Sequence, residues 1–237
     1  INHAEGIIMS DLSIGGSVRL PEPSRGDRAT QVGSTHHFTG GIVHNFGPAG
    51  TGPCGNGPGT RMGIESNLEG NANLMLAARS EVQDLVEQVR FDWFDEDGEV
   101  HKHYIDLVAT ERDGTVVGYA VRPLARVKDA YLAQLARVKE QAIEQGVLDD
   151  FRLFTDRDVC QVELFNAKLF HSVRRPDCFG APVAKDVVDK MTGVVTIGSL
   201  VEQTRLDGMG FRALVRLIRS GHLEMVGYER IDHSSLV

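Results

Sequence analysis

Three charged residues are spaced along positions 66–123 in a way that suits hydrolysis of a phosphodiester bond. Glu69 follows Ser66 by three residues at the head of an apolar run. Asp106 lies inside Tyr104-Ile105-Asp106-Leu107-Val108, and Arg122 closes Gly118-Tyr119-Ala120-Val121-Arg122-Pro123. Metal-dependent phosphodiester cleavage needs carboxylate oxygens that hold hard divalent cations, which polarise the phosphate and lower the pKa of the attacking water. A nearby cation then steadies the developing charge. Each residue also has a purely structural role open to it. Glu69 can close a capping box with Ser66, and Asp106 can pair with Arg122 across adjacent strands.

The elements that must carry these side chains are legible from periodicity. Ser66 opens a helix in which Leu68, Ala72, Leu74, Met75, Leu76 and Ala78 form the apolar content, ending near Arg79. Residues 82–94 then read as a strand, Asp95-Glu96-Asp97-Gly98 as a hairpin turn, and 100–110 as a second strand. Arg112-Asp113-Gly114 makes another tight turn before a third strand over 115–122, which Pro123 stops because it has no N–H for the ladder. Leu124, Val127, Tyr131, Leu135, Val138 and Ala142 repeat at helical spacing up to Gly146. Residues 151–155 follow as a short strand, expected to run parallel to its predecessor because a long helix crosses between them.

Composition limits the partners. The chain of 237 residues carries a formal net charge of −8, which argues against coating nucleic acid by bulk electrostatics and makes any such contact local. No apolar run is long enough to span a membrane, and no basic-then-apolar signal pattern opens the chain, so a cytoplasmic location is the expectation. The three cysteines, Cys54, Cys160 and Cys178, are far apart and never in a CxxC pair. They suggest a reducing compartment without structural zinc. Residues 1–60 hold 13 of the 26 glycines and 5 of the 8 prolines, the make-up of a loop-rich arm rather than a packed helix. Within the arm, His36, His37, His44 and Cys54 fit no standard zinc spacing, and residues 47–63 read as a flexible connector.

The C-terminal residues carry a different pattern. A helix over 184–191 precedes one over 197–204 capped by Thr196, and Leu206-Asp207-Gly208 turns the chain into a third over 209–220. The last two form a helix-turn-helix, and Leu223 to Ile231 read as a two-stranded wing. On the final helix Arg212, Arg216 and Arg219 make a stripe opposite Phe211, Leu214, Val215 and Ile218, suited to DNA phosphates or base edges.

The whole arrangement resembles the PD-(D/E)XK nuclease superfamily and, more narrowly, the TnsA transposon endonucleases. Ser66-Asn67-Leu68-Glu69 resembles that family's helix-opening motif and Glu87-Gln88 its following acid-amide pair. Asp106-Leu107-Val108, Asp113-Gly114, Val121-Arg122-Pro123 and Phe154-Thr155-Asp156 match its later motifs in order. The similarity runs from about residue 66 to 158. It implies an α/β fold with a restriction-endonuclease-like mixed sheet flanked by helices, plus a C-terminal winged helix-turn-helix domain. Composition and turn residues divide the chain into an arm over 1–60, a core over 61–165, a linker over 166–183 marked by Pro176, Gly180 and Pro182, and a DNA-binding domain over 184–237.

The same resemblance makes Glu69 and Asp106 metal ligands for magnesium or manganese and puts Arg122 at the catalytic cation. It implies DNA as partner, a transposase beside it, and a possible homo-oligomer. Two positions depart from the pattern: Ala120 stands where the family has glutamine or glutamate, and Arg122 where it has lysine. Lys102 and Glu65 are the side chains that could restore a missing group. Two functions remain open, an active endonuclease of transposition and a catalytically inactive relative that binds DNA or acts as a scaffold in a mobile element or phage.

Overall fold

A computed structural model describes residues 22–27, 40–44, 59–175 and 177–237. Its centre is a four-stranded sheet of β3 (Val82–Phe94), β4 (Val100–Glu111), β5 (Val116–Val121) and β6 (Asp150–Phe154), in that spatial order. The first three strands form an antiparallel meander, and β6 joins β5 in parallel. Glycines with positive φ set both hairpin turns, Gly98 at 76° and Gly114 at 94°. The crossover that parallel pairing demands is α2 (Asp129–Glu144). This helix starts later than the apolar repeat suggests. Pro123 and a single tight turn over Leu124–Arg126 come first, tied down by the Leu124 N–H on Asp156 Oδ1 at 2.6 Å.

Helices pack on both faces, as expected of a mixed sheet flanked by helices. On one face α1 (Asn67–Ala78) and α3 (Gln161–Ser172) cover Leu85, Leu107, Ala109, Val117 and Tyr119. On the other, α2 covers Phe91, Trp93, Ile105, Ala120 and Phe151. Gly118 lets α2 and its loop approach closely, since a Cβ there would lie 2.7 Å from both Leu148 Cδ1 and Phe151 Cδ2.

Of the connector expected over 47–63, residues 47–58 lie outside the described residues and 60–63 belong to a strand. β1 (Gly40–His44) pairs antiparallel with β2 (Thr60–Ile64), and Glu22 bridges to Thr60 on the far side of β2. Met62 and Ile64 are buried, which is why this segment orders against the body. His36, His37 and Cys54 lie outside the described residues.

Beyond the sheet, α3 runs through the boundary expected at 165 and through the first half of the linker expected over 166–183. The physical reason is its two-sided apolar content: Leu164 and Ala167 join the α1 core, whereas Leu169 and Phe170 pack on the C-terminal helices. Those helices are α4 (Gly180–Asp189), α5 (Ile197–Thr204) and α6 (Asp207–Arg219). Thr196 caps α5 as expected, and α5 turns into α6 through Arg205 and Asp207, both with positive φ. The expected wing does not form. Residues 220–237 contain no strand; an isolated bridge joins Thr196 to Leu236, and reciprocal backbone bonds tie Val195 to Val237. Gly227 and the polar residues around it leave 223–231 as bends, with Leu223 and Ile231 buried in the helical core.

Among the described residues, no helix is long and apolar enough to cross a membrane. Cys160 is a free thiol, while Cys178 is disulfide-bonded, which the separation of the cysteines along the chain does not suggest.

Candidate functional site

Ser66 takes an extended backbone and its Oγ accepts the Glu69 N–H at 3.1 Å, which starts α1. The Glu69 carboxylate answers in kind. Oε1 accepts from Ser66 Oγ and Oε2 from the Glu65 N–H, each at 2.9 Å. Glu69 therefore performs the capping function open to it, with both oxygens hydrogen-bonded. Glu65 is buried beside it through this backbone contact.

Asp106 occupies a break in the sheet. Along β3 and β4 consecutive residues pair in register, yet Gln88 and Asp106 drop out between Glu87↔Leu107 and Val89↔Ile105. Gln88 holds a left-handed backbone with φ 51° inside a strand, a conformation that costs about 1–3 kcal/mol for a non-glycine residue. Side-chain allegiance changes here too: Leu107 belongs to the α1 core, Ile105 to the α2 core. At the break, Asp106 Oδ1 accepts from Gln88 Nε2 at 3.2 Å and Oδ2 from the Val121 N–H at 2.7 Å. One carboxylate thus ties β3 to the end of β5 across β4.

The neighbouring Glu87 is equally buried and accepts from Ser24 Oγ at 2.5 Å and from the Gly63 N–H at 3.0 Å. Residues 22–27 lie along the outer edge of β3. Arg25 makes a two-pronged pair with Asp84 at 2.6 and 2.8 Å, the Asp27 N–H reaches the Gln88 carbonyl, and Asp27 Oδ2 accepts from the Arg90 N–H. A Cβ at Gly26 would lie 2.5 Å from the Glu87 carbonyl oxygen, so only glycine permits this approach. The strap covers an edge that would otherwise expose unpaired N–H and C=O groups.

The end of β2 links the two carboxylates indirectly, since the Gly63 and Glu65 N–H groups bind Glu87 and Glu69. Position 120 adds nothing polar: Ala120 is wholly buried in the α2 core. Arg122 sits at the rim, its Nε donating to the Arg126 carbonyl at 3.1 Å and its guanidinium 4.2 Å from the centre of the Tyr131 ring. Lys102 is exposed and pairs in register with Asp92, well along β4 from Asp106.

The arginine stripe of α6 does not lie open as a solvated face. Arg216 and Arg219 are half-buried, and only Arg212 is exposed. Arg216 pairs with Asp177 at 3.2 Å and reaches the Val173 and Arg175 carbonyls. Arg219 donates to the Ala77 carbonyl at the end of α1, and Arg212 to that of Ser172. Burial pushes the pKa of both Arg216 and Arg219 down. The physical reason is proximity: α3 and the chain leading into α4 run past this face of α6.

Arg219 also borders a small, partly open pocket with His44, His171 and Arg174. His44 is buried, bonds Asn73, and stacks edge-on with His171 at 5.5 Å. Burial, opposed by the Asn73 bond and aided by His171, Arg219 and Arg174, lowers its pKa to about 4.

Among the described residues, one group of three His, Cys, Asp or Glu side chains brings its ligand atoms within 4.8 Å: Asp95, Glu99 and His101 at the β3–β4 turn. Glu69 and Asp106 belong to no such group. Glu69 and Asp106 offer oxygen donors of the kind a hard cation takes, and residue 120 offers only a methyl group. Gln88 is the residue that pattern reading undervalued. The signal was present as two consecutive polar residues, Glu87 and Gln88, in the middle of a strand that is otherwise half apolar. No known protein-family model matches the chain, and a comparison with the curated proteins finds no match.

Proposed function

We propose that the chain is a TnsA-like DNA endonuclease that hydrolyses phosphodiester bonds in transposition, built on a restriction-endonuclease-like core and acting beside a transposase. The observation that supports this most is the break at Asp106. A strained, buried amide and the end of β5 converge there on one carboxylate, within the helix, three strands, helix and strand order that the resemblance implies. Strain of this kind collects at sites of chemistry.

In this reading Asp106 and Glu69 would hold magnesium or manganese. The metal would polarise the scissile phosphate and lower the pKa of the attacking water. Gln88 and the Val121 N–H keep the Asp106 carboxylate in one orientation, and Ser66 with the Glu65 N–H does the same for Glu69. Arg122 presents a permanent positive charge to a phosphate and cannot act as a base.

Ala120 favours a second reading, a catalytically inactive relative that binds DNA or acts as a scaffold, because a buried methyl supplies no ligand. Nicking of supercoiled plasmid with magnesium or manganese separates the two. The endonuclease predicts cleavage that falls at least 100-fold in Asp106→Ala and Glu69→Ala, the scale of losing a charge-stabilising group. Absence of cleavage, or cleavage indifferent to both changes, would leave the inactive reading standing.

A further inference from the structure

Where the DNA lies is a separate matter from whether it is cut. A shallow groove of about 540 Å³ opens where β5 ends and α2 begins, and Arg122, Arg126, Lys128, Tyr131 and Gln134 are among its walls. Among the described residues its lining side chains include three cations and no carboxylate, in a chain whose acidic residues outnumber the basic by 33 to 25. Arg126 and Lys128 are exposed. Arg122 is held between the Arg126 carbonyl and the face of Tyr131, which fixes the plane of its guanidinium.

The turn that carries Arg126 is itself pinned by Asp156 on the Leu124 N–H. The groove adjoins the candidate centre through one backbone step: Asp106 bonds the N–H of Val121, the residue before Arg122. A preset guanidinium, two exposed cations and a planar ring match a run of phosphodiesters passing the site.

We propose that the groove of Arg122, Arg126 and Lys128 is the surface that seats the DNA backbone, in place of the α6 arginine stripe. This rests on the reading of the protein as a DNA-processing one. It adds which surface makes the phosphate contacts and carries the salt dependence of binding. Each neutralised phosphate contributes about 0.9 to the slope of log affinity against log salt concentration.

The test is fluorescence anisotropy of a labelled 30-base-pair duplex with the full chain, titrated at several salt concentrations. The double variant Arg126→Ala/Lys128→Ala should bind about 10-fold more weakly near 0.1 M salt and lose about 2 from the salt slope. Arg126→Glu/Lys128→Glu should bind more weakly still. Arg137→Ala and Lys139→Ala, whose charges already pair with Glu96 and Asp150, should change affinity less than about 2-fold. Circular dichroism of each variant confirms the fold. Unchanged affinity and slope in both double variants, with the unaltered protein binding normally, would overturn the groove alone. If the unaltered protein binds no duplex even at low salt, the DNA-processing reading fails and takes the groove with it.

Discussion

Two sets of basic residues in this protein differ in setting, and in the opposite sense to what their spacing suggests. On α6, Arg212, Arg216 and Arg219 are spaced as a helix stripe, yet two of the three are half-buried and donate to backbone carbonyls or Asp177. At the end of β5, Arg122, Arg126 and Lys128 show no regular spacing, yet they line one open groove. Periodicity reports which residues share a face of an element. It does not report whether another element has already covered that face.

The largest expected effect breaks the comparison at its buried side. Arg219→Ala leaves the Ala77 carbonyl without its side-chain donor and opens space beside the small pocket. It should cost about 2–3 kcal/mol, a fall in Tm of roughly 5 °C or more for a chain of this size. Arg216→Ala removes one partner of Asp177, whose Oδ1 keeps the Phe179 and Gly180 N–H groups, and should cost less, about 1 kcal/mol. Thermal unfolding followed by circular dichroism checks both. An unchanged Tm together with lost DNA binding would restore the stripe as a recognition surface.

Acid should weaken the same buried region. A histidine whose folded pKa lies near 4, against an ordinary value of 6.5, takes up its proton more readily when unfolded. Its contribution is therefore complete above pH 6.5 and is lost as pH falls toward 4, on the order of 3 kcal/mol in full. Denaturant titrations at pH 7, 5.5 and 4.5 should show a steeper decline for the unaltered protein than for His44→Gln. Parallel curves would mean that His44 is not the group responsible.

The open side should respond in the opposite manner. Arg126→Ala/Lys128→Ala removes only exposed charge, so stability should stay within about 0.5 kcal/mol while DNA binding falls. Smallest of all is Lys102→Ala. This exposed residue opposite Asp92 should alter neither stability nor plasmid cleavage measurably. A clear loss of cleavage would make Lys102 the cation that Arg122 fails to replace.

Much of the fold was legible because local signals agreed with one another. The Ser66–Glu69 cap, both glycine turns, the parallel pairing of β6 and the Thr196 cap appear where pattern and turn chemistry put them. What was misjudged involved apolar residues whose partners are distant in sequence. Residues 166–172 were drawn into a linker by Pro176, Gly180 and Pro182 downstream, whereas their apolar side chains extend α3 by serving two cores at once. Residues 223–231, broken by Gly227, were expected as a two-stranded wing, but burial of Leu223 and Ile231 in the helical core pins them as bends.

The candidate site divides along the same line. By itself the sequence determined the kinds of group available: a capping carboxylate at Glu69, a strand aspartate at Asp106, an alanine at 120 and an arginine at 122. Tertiary structure alone decided their circumstances. It bent β3 at Gln88 to bring an amide to Asp106 and sealed Ala120 in the core. It also clamped Arg122 between a carbonyl and a ring and half-buried Arg216 and Arg219 against the chain leading into α4 and the end of α1. The reason is that side-chain chemistry belongs to one residue, whereas burial, strain and access depend on residues remote in the chain that packing brings together.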